Sequence, residues 1–327
     1  MYKKIFFFLS IFVNFLSAFA QDAQFTQFFN TPVYINPALT GTTEQWRANL
    51  LHRSQWLAID AQHLSTTLSG ELHIPLIRSG VGILLSHDLA GIERSLNTSL
   101  AASYSYYIPF KKWTARLGVQ AGIAYQSRDF SNLVFVSQVV TPTQGVSEAN
   151  LATSRLYADF SGGFLGYSRK YWFGFAAHHL NSPINSDITI GSVSIPMRFS
   201  LHAGANYSFK TGREYVFLKP AILCKLQGAS KQIDINTRLS FQDLPLSLGV
   251  YYRDFVFLGG YRDALAGSVG WRFGDFVCTY SYDFTISGLT MASGGTHEIS
   301  IVFEYATLAH KQFWGVDCPI FSTKSSR

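Results

Sequence analysis

Leu96-Asn97-Thr98-Ser99-Leu100-Ala101-Ala102-Ser103-Tyr104-Ser105-Tyr106-Tyr107-Ile108, a break at 109–112, then Trp113-Thr114-Ala115-Arg116-Leu117-Gly118-Val119-Gln120-Ala121-Gly122-Ile123-Ala124-Tyr125: this stretch decides the fold. Successive side chains of a strand point to opposite faces. In the first half Leu96, Thr98, Leu100, Ala102, Tyr104, Tyr106 and Ile108 share one face, and Asn97, Ser99, Ala101, Ser103 and Ser105 the other. In the second half Trp113, Ala115, Leu117, Val119, Ala121, Ile123 and Tyr125 oppose Thr114, Arg116, Gly118, Gln120 and Gly122. A helical stripe of period 3.6 fits neither half. Each run is long enough for a transmembrane strand, which needs about 9–11 residues, whereas soluble strands average about 5–6. The aromatic residues fall near the ends of the runs, where an interfacial girdle places them.

The same alternation recurs along the chain. Phe199, Leu201, Ala203, Ala205, Tyr207 and Phe209 oppose Arg198, Ser200, His202, Gly204, Asn206 and Ser208. Ile233, Ile235, Leu239 and Phe241 oppose Asp234, Asn236, Arg238 and Ser240, and Phe276, Cys278, Tyr280, Tyr282 and Phe284 oppose Val277, Thr279, Ser281 and Asp283. An inner face with Arg116, Arg198, Asp234, Arg238 and Asp283 must be wet or internally paired, because isolated charge in an apolar core is costly. The pattern predicts an all-β fold: a transmembrane antiparallel β-barrel of about 14 strands with a mainly polar lumen. The predicted strands are 45–57, 63–74, 80–88, 95–108, 113–126, 154–168, 171–180, 197–209, 215–227, 231–242, 245–253, 264–273, 275–284 and 296–306. Residues 254–263 are read as a longer loop that could hold a strand of its own. Short connections alternate with longer ones at 127–153, 181–196, 254–263 and 285–295, so both termini are expected on the periplasmic side.

Composition supports this class. Hydrophobic residues make up 47% but are dispersed; charged residues are 14% and aromatics 16%. An average soluble domain carries about 25% charge. At the N-terminus, Lys3 and Lys4 precede the apolar run Ile5–Leu16 and the small-x-small site Ala18-Phe19-Ala20, so residues 1–20 read as a cleavable signal peptide. A membrane anchor is the alternative, but the run is short for a span. Cleavage lowers the formal charge of +6 by two. No cluster of five or more basic residues exists, which argues against nucleic acid as a partner. Cys224, Cys278 and Cys318 share no metal or disulfide spacing. No cofactor or metal motif is present, and the chain is not read as an enzyme. His178-His179, His87-Asp88 and His297-Glu298 invite catalytic readings, but neighbours in a strand face opposite ways and do not converge on one substrate.

Two parts lie outside the expected barrel (45–306). Residues 21–44 are too broken to span and would sit beneath the barrel or plug it. Residues 307–327, with Trp314, Asp317 and Cys318, are expected as a periplasmic tail. In the N-terminal segment Asn36-Pro37-Ala38 has turn chemistry: Asn favours turns, Pro fixes φ, and Ala permits close packing. Arg53 and Gln55 share a face opposite Trp56, and Arg53 is expected to pair with a lumen carboxylate such as Asp283 or Glu298.

The segments Gln27-Phe28-Phe29-Asn30, Asn36-Pro37-Ala38-Leu39-Thr40-Gly41 and Arg53-Ser54-Gln55-Trp56 resemble the opening of PorP/SprF-family proteins. Tyr280-Ser281-Tyr282-Asp283-Phe284, Ser287-Gly288-Leu289 and Gly294-Gly295-Thr296-His297-Glu298-Ile299-Ser300 resemble their far end, with Thr296 where Ser is more usual. The resemblance implies an outer-membrane accessory protein of type IX secretion and, in some members, gliding motility. Its partners would be a secreted cargo protein with a C-terminal sorting domain, such as an adhesin, and other secretion-system subunits. The motif residues it singles out are Asn36, Pro37, Ala38, Gly41, Arg53, Trp56, Tyr282, Asp283, Gly295, His297 and Glu298. The competing expectation is a channel similar to FadL-like porins, which also have fourteen strands and an N-terminal hatch, passing hydrophobic small molecules.

Overall fold

Alternation of apolar and polar side chains over ten or more residues makes the strands, and closing them into a ring removes every sheet edge that lipid could not hydrogen-bond. The computed structural model describes residues 22–43, 46–59, 62–91, 94–129, 153–188, 191–212, 214–255, 261–286, 294–305 and 318–321. Its barrel strands are β1 (Trp46–Gln55), β2 (His63–Ile74), β3 (Ser79–Ala90), β4 (Ser95–Pro109), β5 (Trp113–Arg128), β6 (Thr153–Ser168), β7 (Tyr171–His178), β8 (Arg198–Ala205 continued by Tyr207–Thr211), β9 (Glu214–Gln227), β10 (Ser230–Phe241), β11 (Leu246–Phe255), β12 (Tyr261–Phe273), β13 (Phe276–Thr285) and β14 (Thr296–Tyr305). Each pairs antiparallel with its chain neighbours, and β1 pairs with β14 to close a 14-stranded barrel.

Register places the predicted faces as the sequence implied. Tyr104 lies opposite Val119, and Ser105 opposite Gly118. Ile83 and Val119 are each 61% exposed to the lipid side, while Ser105 and Arg116 are fully buried within. Exposed Trp46, Phe110, Trp113, Tyr171, Trp271, Phe273 and Tyr305 all lie at the end of the barrel that carries the tight turns. Phe110 and Trp113 stack there at 4.1 Å across the turn between β4 and β5. Aromatic rings at the headgroup level fix the barrel's depth. The tight-turn end is the periplasmic one by the rule for outer-membrane barrels.

Several boundaries differ from expectation. β11 and β12 extend into the segment read as the loop 254–263: Asp254 pairs with Arg262 and Phe255 with Tyr261, after a bulge at Arg253/Asp254. Residues 256–260 lie outside the described residues. The segment 181–196 carries its own hairpin, Ile184–Ile188 with Gly191–Ser194, which polar composition had masked. β7 stops at His178 because His179 adopts φ +56°, a left-handed conformation that ends the ladder. Consequently β6 pairs with β7 only between Gly162↔Ala177 and Tyr167↔Trp172. β8 breaks at Asn206, whose N–H donates to Lys170 O at 2.8 Å across the neighbouring turn. Most of the expected loop 127–153 lies outside the described residues.

The lumen is filled from within. Residues 22–43 run inside it as three short turns, Phe28–Asn30, Pro32–Ile35 and Pro37–Leu39. Pro32 and Pro37 each occupy a first helical position, where the missing N–H costs nothing. Residues 318–321 also lie in the lumen, while the rest of the expected tail, 307–317 and 322–327, lies outside the described residues. Asn206 Nδ2 donates to Pro319 O at 3.2 Å, and the Arg47 guanidinium lies 3.8 Å from the centre of the Phe321 ring. Phe28, Phe29, Ile35, Ala38 and Leu39 of the plug pack with Cys318 and Ile320 of the tail against Leu165, Tyr167, Trp172 and Leu223 of the wall. The expectation of a mainly polar lumen therefore misses an apolar patch on β6, β7 and β9. Inward positions there turn apolar because they meet protein, and each fully buried Phe or Leu contributes about 1.5–3 kcal/mol.

Candidate functional site: a latched plug

Three groups of inward side chains hold the plug. The first is the Asn-Pro-Ala turn. Asn36 Oδ1 accepts the Ala38 N–H at 2.8 Å, capping the turn in the manner of short polar side chains. Its Nδ2 donates to Phe164 O at 2.9 Å and Phe175 O at 3.3 Å and lies 3.2 Å from His202 Nε2. Asn36 thus sits against both β6 and β7 while fully buried. Ala38 rests on Gly118 of β5, where a Cβ would overlap Pro37 C and Ala38 N. That close approach, and not backbone freedom, is why β5 carries glycine there. Gly41 follows with φ +65°, and its N–H donates to Glu71 Oε2 at 2.6 Å. Thr40 O accepts from Ser105 Oγ and from Arg116 Nη2, both at 2.7 Å.

The second group is an ionic latch. Arg53 Nη1 lies 3.0 Å from Asp283 Oδ2 and 3.0 Å from Glu298 Oε2, so the partner expected for Arg53 is both carboxylates at once. The plug is threaded through this pair. Thr26 Oγ1 donates to Asp283 Oδ2 at 2.6 Å and accepts from Arg53 Nη1 at 3.1 Å and Arg253 Nη2 at 2.9 Å. The N–H groups of Thr26 and Gln27 donate to the two Glu298 oxygens at 3.0 and 2.7 Å. Arg253 extends the network to Asp234 at 2.8 Å and Asp263 at 3.7 Å. Arg53, Asp283 and Glu298 are each at most 3% exposed. Charges this deep persist only when paired.

The third group pins Asp22. Asp22 lies 2.7 Å from Arg198 Nη1 and 2.8 Å from His179 Nε2, and His179 Nδ1 lies 3.0 Å from Asp159. Burial alone would lower the His179 pKa, but the Asp22 charge and the Asp22 and Asp159 hydrogen bonds outweigh it and raise it to about 9. Burial would likewise raise Asp22, yet the His179 and Arg198 charges hold its carboxyl well below the usual range. The sign follows from linkage. The stabilisation from His179 is complete below its ordinary value of 6.5 and is lost as pH rises through about 9. That from Asp22 is present above its ordinary value of 3.8 and fades as pH falls. Hydrogen-exchange protection of residues 22–25 is accordingly expected to be greatest below pH 6.5 and to fall progressively as pH rises to about 9. Protection that stays flat across that range would remove His179 from the contact.

The remaining motif residues separate from these groups. Tyr282 and His297 face outward, rings 5.0 Å apart, and His297 Nδ1 meets Tyr280 Oη at 2.8 Å. Trp56, with φ +60°, leaves β1 at the outer rim and donates its N–H to Gly295 O at 3.1 Å. Gly295 itself has φ +67°. His297 and Glu298 do oppose each other as adjacent strand residues should. His178 and His179 do not: the left-handed turn at His179 brings both to one cavity. Both ring nitrogens of His179 are taken by carboxylates, and His178 is held by Ser161 Oγ and Ile35 O, each at 3.1 Å. That arrangement binds the plug to the wall. Among the described residues no group of His, Cys, Asp and Glu is arranged to hold a metal ion.

Thr26, Arg253 and the Asp22–His179 contact were missed at the sequence level, and Gln27 was noted only within a resembling segment, not for its bonds to Glu298 and Ser281. Asp234 was marked as an inward charge needing a partner. Arg253, at the end of its strand, is that partner.

Among the described residues, the space left beside the plug includes two large cavities. The outer one, of about 560 Å³, is lined by Asp22, Asp88, Asn97, Gln126, Asp159, His178, His179 and Arg198, among others. The periplasmic one, of about 580 Å³, is lined by Arg47, Lys219, Arg238, Ser240, Arg272, Glu304 and Phe321, among others.

The chain is distantly similar to several solved structures. CdiB from Acinetobacter baumannii is 10% identical with a TM-score of 0.41 over 80% of this chain, which spans 60% of that protein. The CymD monoaromatic hydrocarbon channel is 12% identical, with a TM-score of 0.43 over 88% of this chain and 95% of that one. The Acinetobacter baumannii outer membrane protein Omp33 is 11% identical, with a TM-score of 0.39 over 80% of this chain and 99% of that one. Likenesses of this strength carry no argument. No curated protein matches. The sequence does match a protein family, type IX secretion system membrane protein PorP/SprF, over residues 17–303, which includes the whole plug and nearly all of the barrel. With its apolar outer band and closed ring of strands, this outer-membrane barrel belongs to the PorP/SprF family of type IX secretion system membrane proteins.

Proposed function

We propose that this protein is an accessory subunit that supports secretion or surface attachment of specific cargo, and does not itself conduct solute. The observation that carries the reading is the filled lumen. Residues 22–43 are hydrogen-bonded to strands around the ring, and the tail packs behind them. A barrel so closed offers its rims and loops for binding. The cargo is a secreted protein with a C-terminal sorting domain, such as an adhesin of the gliding type, and the other partners are subunits of the same secretion system. Export through the signal peptide at residues 1–20 precedes insertion. The channel alternative lacks comparable support, since charged groups such as Asp22, Asp159 and Arg198 line the outer cavity.

The test is a tagged pull-down from detergent-solubilised outer membranes, paired with the surface proteome of a deletion strain. A secreted adhesin or secretion subunit is expected to co-purify, and that cargo to vanish from the deletion surface. An unchanged surface proteome without such a partner would overturn the reading and turn attention to uptake of hydrophobic solutes.

A further inference from the structure

The periplasmic cavity has a charge pattern the latch does not use. Arg47 of β1, Lys219 of β9, Arg238 of β10 and Arg272 of β12 converge on it, against two carboxylates, Glu304 of β14 and Asp243 of the turn after β10. Glu304 lies 3.6 Å from both Arg47 and Arg272. Glu71 is 4.0 Å from Arg47 and is already bonded to the Gly41 N–H. Arg238 has no carboxylate within ion-pair distance among the described residues; its contacts are Ile320 O at 3.5 Å and the face of Phe29 at 5.0 Å. Two buried polar atoms at this cavity lack any partner, Arg47 Nη1 and Ser240 Oγ. Arg47 is only 3% exposed, and a guanidinium nitrogen left without a partner at that depth is costly.

From this geometry we infer that the periplasmic cavity is a receptor for a carboxylate-bearing polypeptide segment. Guanidinium groups fork onto carboxylates, and the cavity already seats one in Glu304. Apolar side chains share the rest of the lining with polar ones: Leu244, Pro245, Val302 and Phe321 lie beside Asn30, Gln242 and Ser247. That mixture suits an acidic side chain flanked by apolar ones, and a free inorganic anion would leave the apolar wall unmatched. The site lies inside the ring of strands, so its ligand comes from the periplasm and not from the bilayer. The inference rests on the secretion reading only for where the segment comes from, namely a periplasmic partner of the system. Its test does not depend on secretion.

The purified full chain in detergent is titrated by calorimetry with a Glu-Leu-Glu-Leu-Glu peptide and, separately, with inorganic phosphate. The peptide is expected to bind with an affinity that falls as salt rises. Arg238→Gln and Arg272→Gln are each expected to weaken it by about tenfold, the scale of one charge-assisted contact. Lys111→Gln, on an exposed turn at the same end, is expected to change nothing. Arg272 is partly exposed, so its variant folds even if Arg238→Gln does not. Absence of peptide binding, equal binding by all variants, or phosphate binding as tightly as the peptide would each overturn the assignment. So would binding seen only after removal of residues 322–327, because the site would then belong to the chain's own terminus. Failure here with cargo still lost from the deletion surface would leave the secretion reading standing.

Discussion

Arg53→Ala is expected to destabilise the protein by about 3–5 kcal/mol, the usual loss when one partner of a buried ion pair is removed. Its Nη1 serves Asp283, Glu298 and Thr26 within 3.1 Å, so its loss strands two carboxylates in a cavity that admits little water. Arg253 cannot replace it, being 3.5 Å from Asp283 and already engaged with Asp234. Arg53→Lys is expected to recover only part, since a point charge cannot reproduce the planar fork. Exchanging Arg53 and Asp283 is not expected to restore stability in full, because Asp283 also serves Thr26. Urea titration of the refolded protein in lipid vesicles measures the loss. A cost below about 1 kcal/mol, the range of exposed pairs, would mean that the latch is solvated.

The second large effect is expected at Gly118. Leucine there would occupy the space of the Pro37–Ala38 peptide, backbone that cannot move aside like a flexible side chain. The strand would still form, since leucine suits a pleated ladder, so the plug must leave. Phe28, Phe29 and Leu39 would lose their burial, at about 1.5–3 kcal/mol each. Gly267→Leu is the matched control: it also lies in a strand, and a Cβ there meets nothing within 4 Å. Limited proteolysis reads the outcome. Gly118→Leu should expose residues 22–43 to cleavage with the barrel core intact, while Gly267→Leu should behave as wild type. A protected segment in Gly118→Leu would show that the turn can seat elsewhere.

What could be read in advance follows the physics of each part. Barrel strands obey a local rule of period two, so Leu96–Ile108 and Trp113–Tyr125 declared both faces without tertiary information. Arg53 was legible because an inward charge must find a partner, and ring closure brings the first strand beside the last. The path of residues 22–43 was not legible, since single turns have no periodicity and their direction is set by the wall they meet. The apolar inward positions Leu165 and Leu223 broke the polar-lumen rule for the same reason. His179 escaped because its left-handed backbone, adopted to meet Asp22 and Asp159, is a tertiary choice for a residue with no such local requirement. The lumen position of Cys318 and Ile320 depends on contacts with β8, β9 and β10, far away in sequence.

The latch also bears on how the ring closes in time. Arg53 and Glu298 face each other directly in the β1–β14 ladder, the one seam whose two sides lie at opposite ends of the chain. Every other neighbouring pair can zip from a turn, whereas this seam must bring together segments separated by nearly the whole barrel sequence, with the corresponding entropy of loop closure. Thr26 and Gln27 lie close to β1 in sequence yet hydrogen-bond Asp283 and Glu298 on the arriving strands. The plug is thereby a template carried by the leading end of the chain, presenting donors to the trailing end, so that register at the final seam is selected by side-chain chemistry as well as by the ladder itself.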